Sequence, residues 1–205
     1  MEDVLDLYAE PYDPRYPVVC FDESPSQLVS EVRQPLPAAP GQPLRYDDAY
    51  RREGTCNLFM FCEPLQGWRH IKVTDRRTAQ DFASCMKDLV DSHFPQATVI
   101  SVVLDNLNTH TPAALYATLP PAEACRILRK LDVHYTPKHG SWLNMAEIEC
   151  AVVSRPCLDR RLGDQATVRR EIAAWETRRN EQKATADWRF TTAKARRTLK
   201  RLYPF

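Results

Sequence analysis

No stretch of this sequence approaches the roughly 20 consecutive apolar residues of a membrane-spanning helix. The opening MEDVLDLYAE is acidic where a secretory leader would be basic. Together these absences lead us to expect a cytoplasmic protein with no membrane partner. The seven cysteines include no C-x-x-C pair, and the five histidines do not cluster with them, which argues against a structural zinc site or a disulfide framework. Repeats, low-complexity tracts and a clear boundary to a second domain are also missing.

What is present is a core. Of 205 residues 43% are hydrophobic, enough for one domain with an appendage. The cysteines in VVCF and LFMFC read as small buried hydrophobes. The net charge of +1 hides an uneven distribution. Residues 155 to 205 carry 14 basic and 6 acidic side chains, a net of +8, and residues 1 to 154 carry 14 basic and 21 acidic, a net of −7. A basic end of this kind suggests a polyanion partner, although a solvated helical surface explains the charge alone equally well.

Local patterns suggest the order of elements. YPVVCFDESPSQLV reads as a strand entering a turn at Ser24 and Pro25, and RQPLPAAPG as a loop. GTCNLFMFCEP and GWRHIKVTD read as a hairpin turning between Pro64 and Gly67. Phe82, Met86, Leu89 and Val90 follow at helical spacing behind Thr78, a suitable N-cap. ATVISVVLDN is a buried strand ending in Asp105, Thr111 and Pro112 open a helix, and LDVHYTP is a further short strand. SWLNMAEIECAVV predicts a helix with Leu143, Ile148, Val152 and Val153 inward, broken or kinked by Pro156. Val168, Ile172 and Trp175 mark another helix, and TTAKARRTLKRL a basic last one. Strands mixed with helices in this order predict the α/β class, a mixed central sheet flanked by helices.

Asp22 and Asp105 end two strands, and Glu147 and Glu149 lie on a helix after the last one. Acids so placed can converge on magnesium or manganese, which prefer oxygen ligands. With 27 acids in the chain, spacing alone selects no particular triple.

CFDESP, VVLDNLNTH and YTPKHGSWLNMAEIE resemble the three signature blocks of DDE transposases, in the bacterial insertion-sequence branch of the mariner-like superfamily. GWRHIKVT and the closing WRFTTAKAR…LYP share the likeness, which spans nearly the whole chain. The resemblance implies a ribonuclease H-like fold and a metal-dependent DNA endonuclease and strand transferase. Its triad falls on Asp22, Asp105 and Glu147, which would hold two Mg2+, with Mn2+ as substitute. It further implies double-stranded DNA as partner, as element ends and target, and a homodimer on that DNA in a bacterial cytoplasm.

Other residues take supporting places. Glu149 points about 200° away from Glu147 on a helix, so it reads as a charge at the surface or behind a ligand. Glu23 reads as a neighbour of the site. Asn106 and His110 are candidates to orient a ligand or touch phosphate, against capping and packing roles. Lys138, His139, Ser141, Arg155, Arg160, Arg161, Arg169 and Arg170 are candidate DNA contacts, with Arg178 and Arg179 beside them. Trp142 fits the core or a rim at least as well as base stacking. We divide the chain into a linker or remnant at 1–15, a catalytic core at 16–160 and a basic helical part packed on it at 161–205. Family members carry an amino-terminal helix-turn-helix region, and nothing before YPVVCFDE is long or basic enough to be one. Two alternatives stand beside the transposase: an inactive DNA-binding remnant that modulates a full-length enzyme, and a general ribonuclease H-like nuclease.

Overall fold

The structure is a computed structural model and describes residues 1–138 and 140–202. Five strands form one mixed sheet: β1 (Val18–Glu31), β2 (Tyr50–Glu63), β3 (Trp68–Thr74), β4 (Ile100–Leu104) and β5 (Leu131–Tyr135), in the order β3-β2-β1-β4-β5. β2 runs antiparallel to both β1 and β3, whereas β4 is parallel to both β1 and β5. Among the described residues seven α-helices cover the sheet: α1 (Glu2–Leu7), α2 (Ala79–Asp88), α3 (Pro112–Thr118), α4 (Pro121–Leu128), α5 (Met145–Val153), α6 (Gln165–Glu181) and α7 (Thr192–Thr198).

Alternation along the strands divides the core in two. Val18, Cys20, Met60 and Val103 pack with residues of α1, α5, α6 and α7 on one face. Val19, Phe21, Phe59, Val102 and Leu104 pack with α2, α3 and α4 on the other. The mixed sheet with helices on both faces is the α/β architecture expected.

Three expectations are corrected. Residues 1–15 are no mere linker: Val4, Leu5, Leu7 and Tyr8 recur at helical spacing and are buried in the first core. Ser24 and Pro25 make no turn, since β1 runs on to Glu31 with Pro25 opposite Asn57. The pairing with β4 ends at Cys20, so one edge of β1 is free there and tolerates a residue without an N–H. Ile148, expected inward, is 52% exposed, while Leu143 and Val153 are buried. Pro156 lies in a single π-helical turn, Ser154–Leu158, which continues α5 after Val153.

Part of the basic end is spent on the acidic beginning. Arg196 donates to both carboxylate oxygens of Glu2 at 2.7 Å, and Thr192 Oγ1 donates to Asp6. α1 and α7 thus close the same core, to which Val4 and Leu5 of α1 and Ala195 of α7 contribute.

Candidate active site

Strand parity brings the acids to one face. Asp22 shares its side of β1 with Val18 and Cys20, and Asp105 continues the side of β4 that carries Val103. The parallel register pairs Cys20 with Val103, and Asp22 and Asp105 each lie two residues beyond that pair. α5 packs across the same face through Met145 and Ala146, with Leu143 just ahead of it, and its first turn carries Glu147, half-buried.

Asn144 fixes where that helix starts. Its Oδ1 accepts from the Ala146 amide, and its Nδ2 donates to the Phe21 carbonyl oxygen at 2.8 Å. The N-cap of the Glu147 helix is therefore bonded to the residue just before Asp22. Tyr8 adds a second tie by donating its hydroxyl to the Leu143 carbonyl oxygen at 2.8 Å. Sequence reasoning assigned roles to neither residue, although an Asn just ahead of a helical run is a legible N-cap signal.

The electrostatics report a shared field. Burial, and then the negative charges of Glu23, Asp105 and Glu147, push the Asp22 carboxyl up to about 7, although the Glu23 amide donates to it at 2.8 Å. Burial, and then Asp22 and Glu147, push the Cys150 thiol of α5 up to about 12. A set of hard oxygen donors that repel one another suits a cation of the magnesium type, so the residues fit such an ion.

His110 is buried at 1% exposure and lies between two carboxylates. Its Nδ1 is 2.6 Å from Asp105 Oδ1, and its Nε2 is 3.0 Å from Glu23 Oε2. Burial opposes a charge on the ring, but the two acids outweigh it and lift the His110 pKa to about 9. The ring also stacks on Phe82 at 4.8 Å, so it both packs and bonds. Among the described residues, Glu23, Asp105 and His110 bring ligand-type atoms within 4.8 Å of one another; Asp22, Asp105 and Glu147 are spread more widely.

The remaining candidates separate. Asn106, Lys138 and Ser141 are exposed, and His139 lies outside the described residues. Arg155, Arg160, Arg169 and Arg170 are exposed, with Arg160 paired to Glu171. Arg161 is instead an internal brace: it pairs with Glu31, donates to the Asp47 and Ala49 carbonyl oxygens, and lies over the Tyr46 and Tyr50 rings. Glu149 is 5% exposed and is held by Arg69 and Arg179, each at 2.8 Å. It is neither at the surface nor part of the site, and Arg179 is occupied with it. Trp142 is 44% exposed and packs edge-on against Phe190.

A mixed sheet with acids two residues past the last pair of two neighbouring parallel strands, and a third on a covering helix, is the arrangement of the ribonuclease H-like fold. The family model described as DDE superfamily endonuclease matches residues 17–169, and the chain belongs to that family. Its fold is similar to those of the Mos1 mariner paired-end complex with Mn (16% identity, TM-score 0.58) and the Mos1 strand transfer complex (15%, 0.59). A Mos1 paired-end complex with Mg is similar at 14% identity and TM-score 0.55. In each case the match covers 89% of this chain and 56% of the other, so the chain spans little more than half of those proteins. No curated protein matches the sequence.

Proposed function

We propose that the chain is the catalytic domain of a transposase of the bacterial insertion-sequence branch of the mariner-like superfamily, acting on double-stranded DNA in the cytoplasm. The observation that carries this reading is the convergence of Asp22, Asp105 and Glu147 on one face, with each charge felt at Asp22. Family membership and the fold shared with the Mos1 strand transfer complex support it.

In this reading Asp22 and Asp105 hold two divalent ions, Mg2+ or Mn2+, and Glu147 completes one ligand set. Bound there, such ions supply Lewis acidity, activating the attacking oxygen and offsetting charge on the scissile phosphate. His110 holds Asp105 in one orientation through its 2.6 Å contact. Asn144 sets the position of Glu147 relative to β1. Lys138, Ser141 and Asn106 contact phosphates beside the reacting bond, while Arg155, Arg160, Arg169 and Arg170 neutralise the backbone farther out. Water attacks the scissile phosphodiester and displaces the 3′-oxygen of the element end, and the freed 3′-hydroxyl attacks a target phosphodiester in line, displacing the target strand's own 3′-oxygen as a hydroxyl, with no covalent protein intermediate. Residues 16–160 perform this chemistry, residues 161–205 add DNA affinity, and two copies pair two ends.

Strand joining tests the reading. Labelled duplexes ending in a free 3′-hydroxyl, incubated with a target plasmid and Mn2+, should become covalently linked to the plasmid. Cutting without any joining would indicate a general nuclease instead.

A further inference from the structure

The notable feature of Glu23 is its placement behind the site. Strand alternation sends its side chain to the opposite face of β1 from Asp22, among Phe21, Phe82 and the helices of the second core. There its carboxylate side chain alone is 4% exposed, the residue as a whole being half-buried, and Oε2 has no hydrogen-bond partner although it lies 3.0 Å from His110 Nε2, outside good donor geometry. An acid so deeply buried is rarely left without a role for its charge or lone pairs.

We propose that Glu23 is a positioning residue that acts through His110 to fix Asp105 for ion binding. Phe82 stacked at 4.8 Å and Phe21 edge-on at 5.4 Å hold the imidazole plane, leaving rotation within that plane to be set by its two nitrogens. One nitrogen is 2.6 Å from Asp105 Oδ1 and the other faces Glu23, so the ring bridges two carboxylates. A separate ion among these three residues is disfavoured because His110 Nδ1 is taken by its 2.6 Å bond to Asp105 Oδ1. With Nδ1–H donating to Oδ1, Asp105 keeps Oδ2 for the ion. A carboxylate behind a histidine that holds a ligand is a recurrent way of orienting metal ligands from outside the coordination shell. This inference rests on the ion site proposed above.

The test is Mn2+ affinity of the purified chain, measured by water-proton relaxation, with melting curves in chelator as a check on folding. Glu23→Met keeps bulk but cannot accept a hydrogen bond, and should weaken Mn2+ binding about tenfold. Glu23→Gln retains an acceptor oxygen and should bind within about threefold of the parent chain. The double variant Glu23→Met/His110→Ala should bind no more weakly than His110→Ala alone, since the two residues act in series. The proposal is overturned if Glu23→Met binds within about twofold of the parent while Asp105→Asn loses the ion, or if the two losses add in the double variant. Equal binding by the parent and Asp105→Asn would remove the ion site itself, and this inference with it.

Discussion

Asn144 Nδ2 donates to the Phe21 carbonyl oxygen at 2.8 Å, bonding the start of the helix that carries Glu147 to the strand that carries Asp22. One side chain thereby caps α5 and sets the relative position of two acids. Asn144→Ala removes the cap and leaves a buried carbonyl unpaired, and should cost about 2 kcal/mol of stability. Asn144→Asp keeps the cap acceptor but turns a carboxylate on the Phe21 carbonyl oxygen beside the other acids, so its urea midpoint should also fall below that of the parent. If Asn144→Ala unfolds at the parent midpoint, the tie is unimportant.

Glu147 and Glu149, two residues apart, should fail differently. Glu149→Ala leaves Arg69 buried at 2% exposure without its carboxylate and should cost roughly 3–5 kcal/mol. Glu147→Gln relieves repulsion among the acids, so it should melt no lower than the parent while losing DNA cutting. Chemical denaturation read beside nicking separates the two acids. A stable, active Glu149→Ala would contradict the buried-pair assignment.

Periodicity made much of this architecture legible. Val168, Ile172 and Trp175 marked a buried face, and Thr78 capped α2 as its position suggested. The separate short helix α4 was less visible, because it directly follows α3. The long-range pairs were hidden as well. Glu149 on a one-dimensional reading is an acid two places past a better candidate, and its partner Arg69 lies 80 residues away. Equally, the basic residues after position 155 showed a charge but not its destination. Arg161, Arg179 and Arg196 turn out to face Glu31, Glu149 and Glu2 within the fold.

That division of arginines makes a prediction. Arg169→Ala and Arg170→Ala should each weaken DNA binding, reduce the salt dependence by about one unit of slope, and leave the melting temperature nearly unchanged. Arg161→Ala should instead lower thermal stability, since it removes the bonds by which Arg161 holds Glu31 and the Asp47 and Ala49 carbonyl oxygens of the β1–β2 connection. Fluorescence anisotropy across a salt series, beside thermal melts, checks both. Equal effects from all three substitutions would refute the division.

The raised Asp22 pKa gives the ion-free protein a defined pH response. Between the ordinary value of 3.8 and about 7, the folded state retains a proton that the unfolded chain has released. Stability from this group is therefore greatest below that window and declines as pH rises through it. Asp22→Asn removes the decline. In chelator near about pH 8 it should be more stable by on the order of 2 kcal/mol, after allowance for solvent screening, or roughly 4–8 °C in melting temperature. Near about pH 4 the two proteins should melt alike. A lower melting temperature for Asp22→Asn at the higher pH would contradict the repulsive cluster.

The most direct measurement is nicking of supercoiled plasmid by the purified chain with Mn2+ or Mg2+, beside Asp105→Asn and a chelator control. Nicking that requires the ion and disappears in a folded Asp105→Asn protein is the predicted result. Nicking by Asp105→Asn near the parent rate, or in the presence of chelator, would contradict the assignment of Asp22, Asp105 and Glu147 as the ion-binding centre.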